Sequence, residues 1–151
     1  MPSARRRGRT SRAPRRTGAA LSAREAALRA LLAGGGQTAL QATLHDTEMS
    51  PRDRALFTQL VNGTLKLRRA LDWSLTRYLR RPLDSLSPPL LWALRLGAFQ
   101  LLYLERIPVH SAVNETVSLA RRLGHSGTAA VANAVLRKLA VNPVRPPAPG
   151  P

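Results

Sequence analysis

Residues 90–104, Leu90-Leu-Trp-Ala-Leu-Arg-Leu-Gly-Ala-Phe-Gln-Leu-Leu-Tyr-Leu104, are apolar nearly all the way round a helical wheel, and only Arg95 and Gln100 interrupt them. A helix without a polar face belongs inside a protein, so the rest of this chain must be wrapped around it. The stretch is too short and too interrupted to cross a bilayer, which takes about 20 apolar residues. Ser87-Pro88-Pro89 opens the helix, because proline is tolerated in a first turn. A Glu105-Arg-Ile-Pro108 turn closes it, and a second helix starts at once behind Pro108. That second helix is amphipathic, with Val113, Val117 and Ala120 on its apolar side, and Gly124 ends it. Phe99 and Leu101 are expected in the core.

Helix punctuation continues upstream. Ser22-Ala-Arg-Glu25 is a capping box that opens a helix to about Ala33, and Gly34-Gly35-Gly36 terminates it. A phosphate-cradling loop would need Gly-Lys-Ser/Thr opening a helix, and Gln37-Thr38-Ala39 follows instead. A short helix spans about 37–44. Ser50, Pro51 and Asp53 then start another, supplying the cap, the first helical residue and a carboxylate at the positive end of the dipole. Its stripe of Leu56, Leu60, Leu67 and Leu71 runs toward Tyr78, with a bend expected around Gly63, and Pro82 stops it. A last helix over about 126–140 presents Val131, Val135 and Leu139. Aromatic residues are only 4%, so the core must be Leu, Ala and Val, and no sustained β-branched alternation marks a strand. The expected fold is all-α, a compact bundle of about six helices over residues 21–141.

The ends differ from the middle. Arg5, Arg6, Arg7, Arg9, Arg12, Arg15 and Arg16 fall within residues 1–20, which contain no acidic residue. So much like charge with so little apolar surface predicts an arm that is disordered when free. Residues 142–151 contain five prolines and are expected to form a frayed, disordered tail. The whole chain has 24 basic and 8 acidic residues, a formal charge of +16, and all the basic residues except Lys66 and Lys138 are arginine. Arginine presents a planar fork matched to phosphate and can stack on bases, so a polyanion such as nucleic acid is the expected partner. A GC-rich genome would be an alternative explanation for arginine over lysine, but not for the shortage of acids.

Catalytic patterns are missing. Cysteine is absent, which excludes disulfides, thiolate metal sites and thiol nucleophiles. His45, His110 and His125 show no metal-ligand spacing, and His45-Asp46 reads as a surface pair. Glu115 in the helix behind Pro108 is expected to bond a neighbouring helix, and the Asn133 amide to need a partner. The chain is expected to be a non-enzyme without cofactor or metal. The N-terminus lacks the apolar region of a secretory signal, and cytoplasm is the default, with an Arg- and Ser-rich transit peptide the open alternative.

The stretch from Leu94 through the Glu-Arg-Ile-Pro turn to Arg121 resembles the all-helical NusB family. It resembles more closely the NusB-like domain at the N-terminus of RsmB-type ribosomal RNA cytosine methyltransferases. Arg52-Asp-Arg-Ala-Leu56 followed by Leu60-Val-Asn-Gly-Thr-Leu65, then Leu71-Asp72-Trp73, Arg81-Pro82-Leu83 and Val131-Ala-Asn-Ala-Val-Leu-Arg137, match in order and spacing. The ending Asn133-Ala-Val-Leu-Arg137 is nearer the methyltransferase-attached version, and Val131-Ala132 stands where the family habitually has Phe-Val. The methyltransferases continue into a catalytic domain with two essential cysteines, so a chain without cysteine cannot methylate cytosine in that way. The resemblance implies RNA binding through an Arg-rich N-terminus and the first helix, with Arg24 joining the seven arm arginines. It also implies a boxA-like element of ribosomal RNA leaders as target, and ribosomal protein S10 and the antitermination complex of RNA polymerase as partners. The expectation is thus an RNA-binding protein of transcription antitermination or ribosomal RNA regulation, monomeric or homodimeric. Alternatives are a detached RNA-docking domain of a methyltransferase, and a protein-interaction scaffold that binds no RNA.

Overall fold

The computed structural model describes residues 22–148 and contains, among them, seven α-helices, one 3₁₀ turn and no strand. The helices are α1 (Ala23–Leu32), α2 (Gln37–Asp46), α3 (Pro51–Lys66), α4 (Arg68–Thr76), α5 (Pro88–Tyr103), α6 (Val109–Leu123) and α7 (Ser126–Val141), and the 3₁₀ turn is Leu83–Ser85. The arm and residues 149–151 lie outside the described residues.

Local chemistry sets most boundaries. Ser22 Oγ accepts the Glu25 N–H at 3.1 Å, and Ser50 Oγ accepts the Asp53 N–H at the same distance. The reciprocal half of the expected capping box is replaced, because the Glu25 carboxylate turns to Arg29 and Arg122. Gly34 and Gly35 have φ of 114° and 69°, and their N–H groups return to Leu31 and Ala30. This left-handed closure satisfies the last carbonyls of α1, which is why glycine stands there. At the other end of the chain His125 caps α7, its Nδ1 accepting the Gly127 N–H at 3.1 Å.

Helix α5 is the axle of the bundle and packs against α1, α3, α4, α6 and α7. Every residue from Ala93 to Gln100 is buried. Phe57, Leu60, Leu71, Leu75, Leu136 and Leu139 are fully enclosed around it, as are its own Leu94 and Leu96, each worth about 1.5–3 kcal/mol of burial. Phe99 is in this core as expected, whereas Leu101, in the last turn of α5, is only half-buried.

Three expectations are corrected. The long helix toward Tyr78 is two helices that break at Leu67 (φ −100°, ψ 15°), not at Gly63. The break turns α4 onto α5, where Leu71 and Leu75 are buried. Val131 is 37% exposed, because the buried stripe of α7 is Ala132, Val135, Leu136 and Leu139 and Val131 lies beside it. Residues 142–148 have no regular structure, yet the segment is docked and not frayed. Ser74 Oγ donates to the Val144 carbonyl at 2.6 Å and Tyr78 Oη to the Asn142 carbonyl at 2.8 Å. Val144 packs on the core, and the Arg145 guanidinium sits 5.3 Å over the Tyr103 ring. Prolines remove N–H donors but leave carbonyls free to accept, so this tail binds as an acceptor.

Candidate nucleic-acid interface

The described structure begins at Ser22, one residue before α1, and residues 1–21 precede it in sequence. Arg5, Arg6, Arg7, Arg9, Arg12, Arg15 and Arg16 lie outside the described residues. Arg24 lies inside them, with its side chain turned into the bundle. Its Nε donates to Gln100 Oε1 at 2.6 Å and its Nη1 to Glu115 Oε1 at 2.9 Å, with the side chain only 13% exposed. Gln100 is buried and also donates through Nε2 to Thr116 Oγ1 and the Leu96 carbonyl. Arg24 therefore anchors α1 to α5 and α6, and the expected inter-helix bond of Glu115 is the outer end of that network.

Residues that the sequence did not single out form the open part of this face. Glu25 is buried, and its two carboxylate oxygens accept from Arg122 at 2.8 Å and Arg29 at 2.9 Å. Burial would raise the Glu25 pKa, but the hydrogen bonds and charges of Arg122 and Arg29 outweigh that and hold it below the usual carboxylate value. Arg29 and Arg122 are half exposed beside this one enclosed carboxylate, so the edge between α1 and α6 is net positive. On the far side of the same α6 turn, Arg121 lines an open groove of about 370 Å³ between α6 and α7. Asn114, Ser118, Ser126 and Asn133 line it too, which makes it rich in hydrogen-bonding groups. Arg121 forms no ion pair among the described residues. Asn133 finds its partner in Arg137, whose Nε donates to Oδ1 at 2.9 Å. The signal missed in the sequence is the Arg121-Arg122 pair, because last-turn cations also complement the helix dipole and so look structural.

The described residues contain no group of His, Cys, Asp and Glu that could hold a metal, and no helix long and apolar enough to cross a membrane. His45 and Asp46 pair at 3.0 Å on the surface, as expected. The arrangement can present cations and hydrogen-bond donors to an extended polyanion.

Comparison with known proteins agrees with the geometry. Transcription antitermination protein NusB of Nitrosospira multiformis is 38% identical over 123 residues, covering 78% of this chain and 78% of its own length. The probable ribosomal RNA small subunit methyltransferase B of Bacillus subtilis is 38% identical over 100 residues, 66% of this chain. The chain spans only 22% of that methyltransferase's length, so the likeness is confined to the NusB-like part. Among solved structures, T. maritima NusB superposes with a TM-score of 0.70 over 80% of this chain and 89% of its own, at 21% identity, which establishes the shared fold. Residues 21–141 match the NusB family, and with the helices, the axle and the turn behind it all in place, the chain belongs to that family.

Proposed function

We propose that this protein binds RNA and acts in transcription antitermination, in the regulation of ribosomal RNA transcription. The observation that carries the reading is electrostatic. Seven arm arginines with no acid among them precede an edge where Arg29 and Arg122 share the enclosed Glu25 carboxylate, and Arg121 lines the polar groove on the other side of the same α6 turn. Guanidinium groups would bind phosphates and stack on unpaired bases, which is how single-stranded RNA is held. Relatives named transcription antitermination protein NusB support the cellular role. By the family resemblance the target is a boxA-like leader element, and the partners are ribosomal protein S10 and the antitermination complex of RNA polymerase. The protein would work in the cytoplasm as a monomer or homodimer.

The test is titration of a boxA-like RNA and a scrambled control across a salt series. Each phosphate bound on a single strand contributes about −0.7 to the slope of log affinity against log salt. Replacing Arg5, Arg6, Arg7 and Arg9 by Ala should weaken binding to both RNAs and flatten that slope. Arg121→Ala, in the polar groove, should cost more with boxA than with the scrambled strand. Unaltered affinity and slope in the four-Arg variant would remove the arm from the interface.

A second reading rests on the match to the methyltransferase from Bacillus subtilis: an RNA-docking domain acting beside a methyltransferase. Co-purification with such an enzyme, and loss of ribosomal RNA methylation without loss of antitermination on deletion, would favour it.

A further inference from the structure

Helix α4 carries a basic face that neither the arm nor the α6–α7 groove accounts for. Arg69, Trp73 and Arg77 follow one another at four-residue intervals and so share one side of the helix. The Arg77 guanidinium lies 3.7 Å over the Trp73 ring, in van der Waals contact. Arg69 and Arg77 are exposed and Trp73 is half-buried, so the stack opens to solvent. Lys66, Arg68, Arg80 and Arg81 are exposed around it. Between Asp53 and Asp84 the only acidic residue is Asp72, and both its oxygens are taken by Arg95, at 2.8 and 2.9 Å. The face is therefore net cationic, and among the described residues none of its arginines is ion-paired. Crowding like charges along a helix destabilises it, so fold stability gives no reason for the arrangement. α4 packs on α5 and α3, whereas the arm's root is tied to α5 and α6.

We infer that the α4 face formed by Arg69, Trp73 and Arg77 is a second contact surface for single-stranded RNA. The Arg77–Trp73 stack offers a flat cationic platform for an unpaired base, and Arg68, Arg69 and Arg80 stand where the flanking phosphates would run. An acidic protein segment would use the charges but not the platform. The inference rests on the RNA-binding reading and adds a second site to it, so that one strand engages both the arm and α4.

Trp73 and Trp92 are the only tryptophans, so in the full chain with Trp92→Phe the emission reports on Trp73. A single-stranded RNA of about 30 nucleotides, longer than a single-module site of about 4–16, should quench that emission. Arg69→Gln with Arg77→Gln should weaken binding several-fold and reduce the salt slope by about 0.7 for each phosphate no longer neutralised. Trp73→Ala should lower affinity on the order of tenfold, and Trp73→Phe, which keeps a ring, should recover most of it. Melting curves confirm that each variant is folded, and the double arginine variant, altered only on the surface, carries the test if Trp73→Ala unfolds. Losses from the α4 and arm variants should add when combined, as for separate sites. If the arm variant weakens binding while the α4 variants bind and quench like the parent, the second surface is wrong and the arm reading survives. If the parent binds no RNA, both fall. If poly-glutamate quenches Trp73 as strongly as RNA does, the face is an acidic-protein site and the inference is overturned.

Discussion

A methyl group added at Gly63 would overlap the ring of Phe99, which crosses directly above it. In an exposed helix Gly→Ala gains about 1 kcal/mol from backbone propensity. Here the ring is wedged in the core, and relief means moving α3 off α5. Gly63→Ala should therefore lower stability by about 1–3 kcal/mol, read from the denaturant midpoint; a gain would show that Phe99 is loosely held. Its neighbour Thr64 poses the opposite case. Thr64 Oγ1 is buried with no hydrogen-bond partner among the described residues. An unsatisfied buried hydroxyl costs about 1–3 kcal/mol, and valine matches threonine in shape without it. Thr64→Val should raise the midpoint, and an unchanged or lower one would mean that the hydroxyl finds a partner in solution.

Helices α1 and α6 are in contact and are tied together by charge. Glu25 clamps Arg122 from 97 residues away, and Arg24 reaches both Gln100 and Glu115. Because the folded protein holds the Glu25 pKa below its ordinary value, the carboxylate stabilises the fold fully above the unfolded pKa. That contribution is lost as pH falls from roughly 5 through the lowered pKa, when the folded state must take up a proton. Chemical denaturation across pH 7 to 3 should thus show an acid limb that Glu25→Gln flattens, with the variant less stable than the parent at pH 7. Parallel curves would mean that the clamp is absent in solution. Arg24→Ala should likewise destabilise the fold, since it leaves the buried Gln100 oxygen without its donor.

Across the whole molecule the two termini should behave differently on truncation. Removing residues 1–20 takes away seven of the positive charges and no acid. It should leave the melting temperature nearly unchanged while lowering RNA affinity at low salt; a fall of several degrees would mean that the arm packs on the bundle. Ending the chain after Val141 removes Val144 from the core and takes away the acceptors of Ser74 and Tyr78. That truncation should cost on the order of 1–3 kcal/mol in thermal or denaturant unfolding.

Helix class, caps and the central helix were legible in the residues, because they depend on local rules: serine accepting N–H groups, proline opening a turn, glycine closing one, and an all-apolar run demanding cover. The charge of the arm was legible as well, since it is a sum over a segment and needs no fold. Arg95 and Gln100 were visible as interruptions of the apolar run, but not what satisfied them. Their partners are Asp72, 23 residues away, and Arg24 and Thr116, 76 and 16 residues away. Arg24 looked like one more cation beside the arm until burial against Gln100 and Glu115 made it an anchor. The α1–α6 edge, the polar groove beside Arg121 and the docked segment after α7 likewise exist only once distant helices pack. Local patterns bias each residue's own backbone, whereas a binding face is assembled from side chains that meet only after the core has formed.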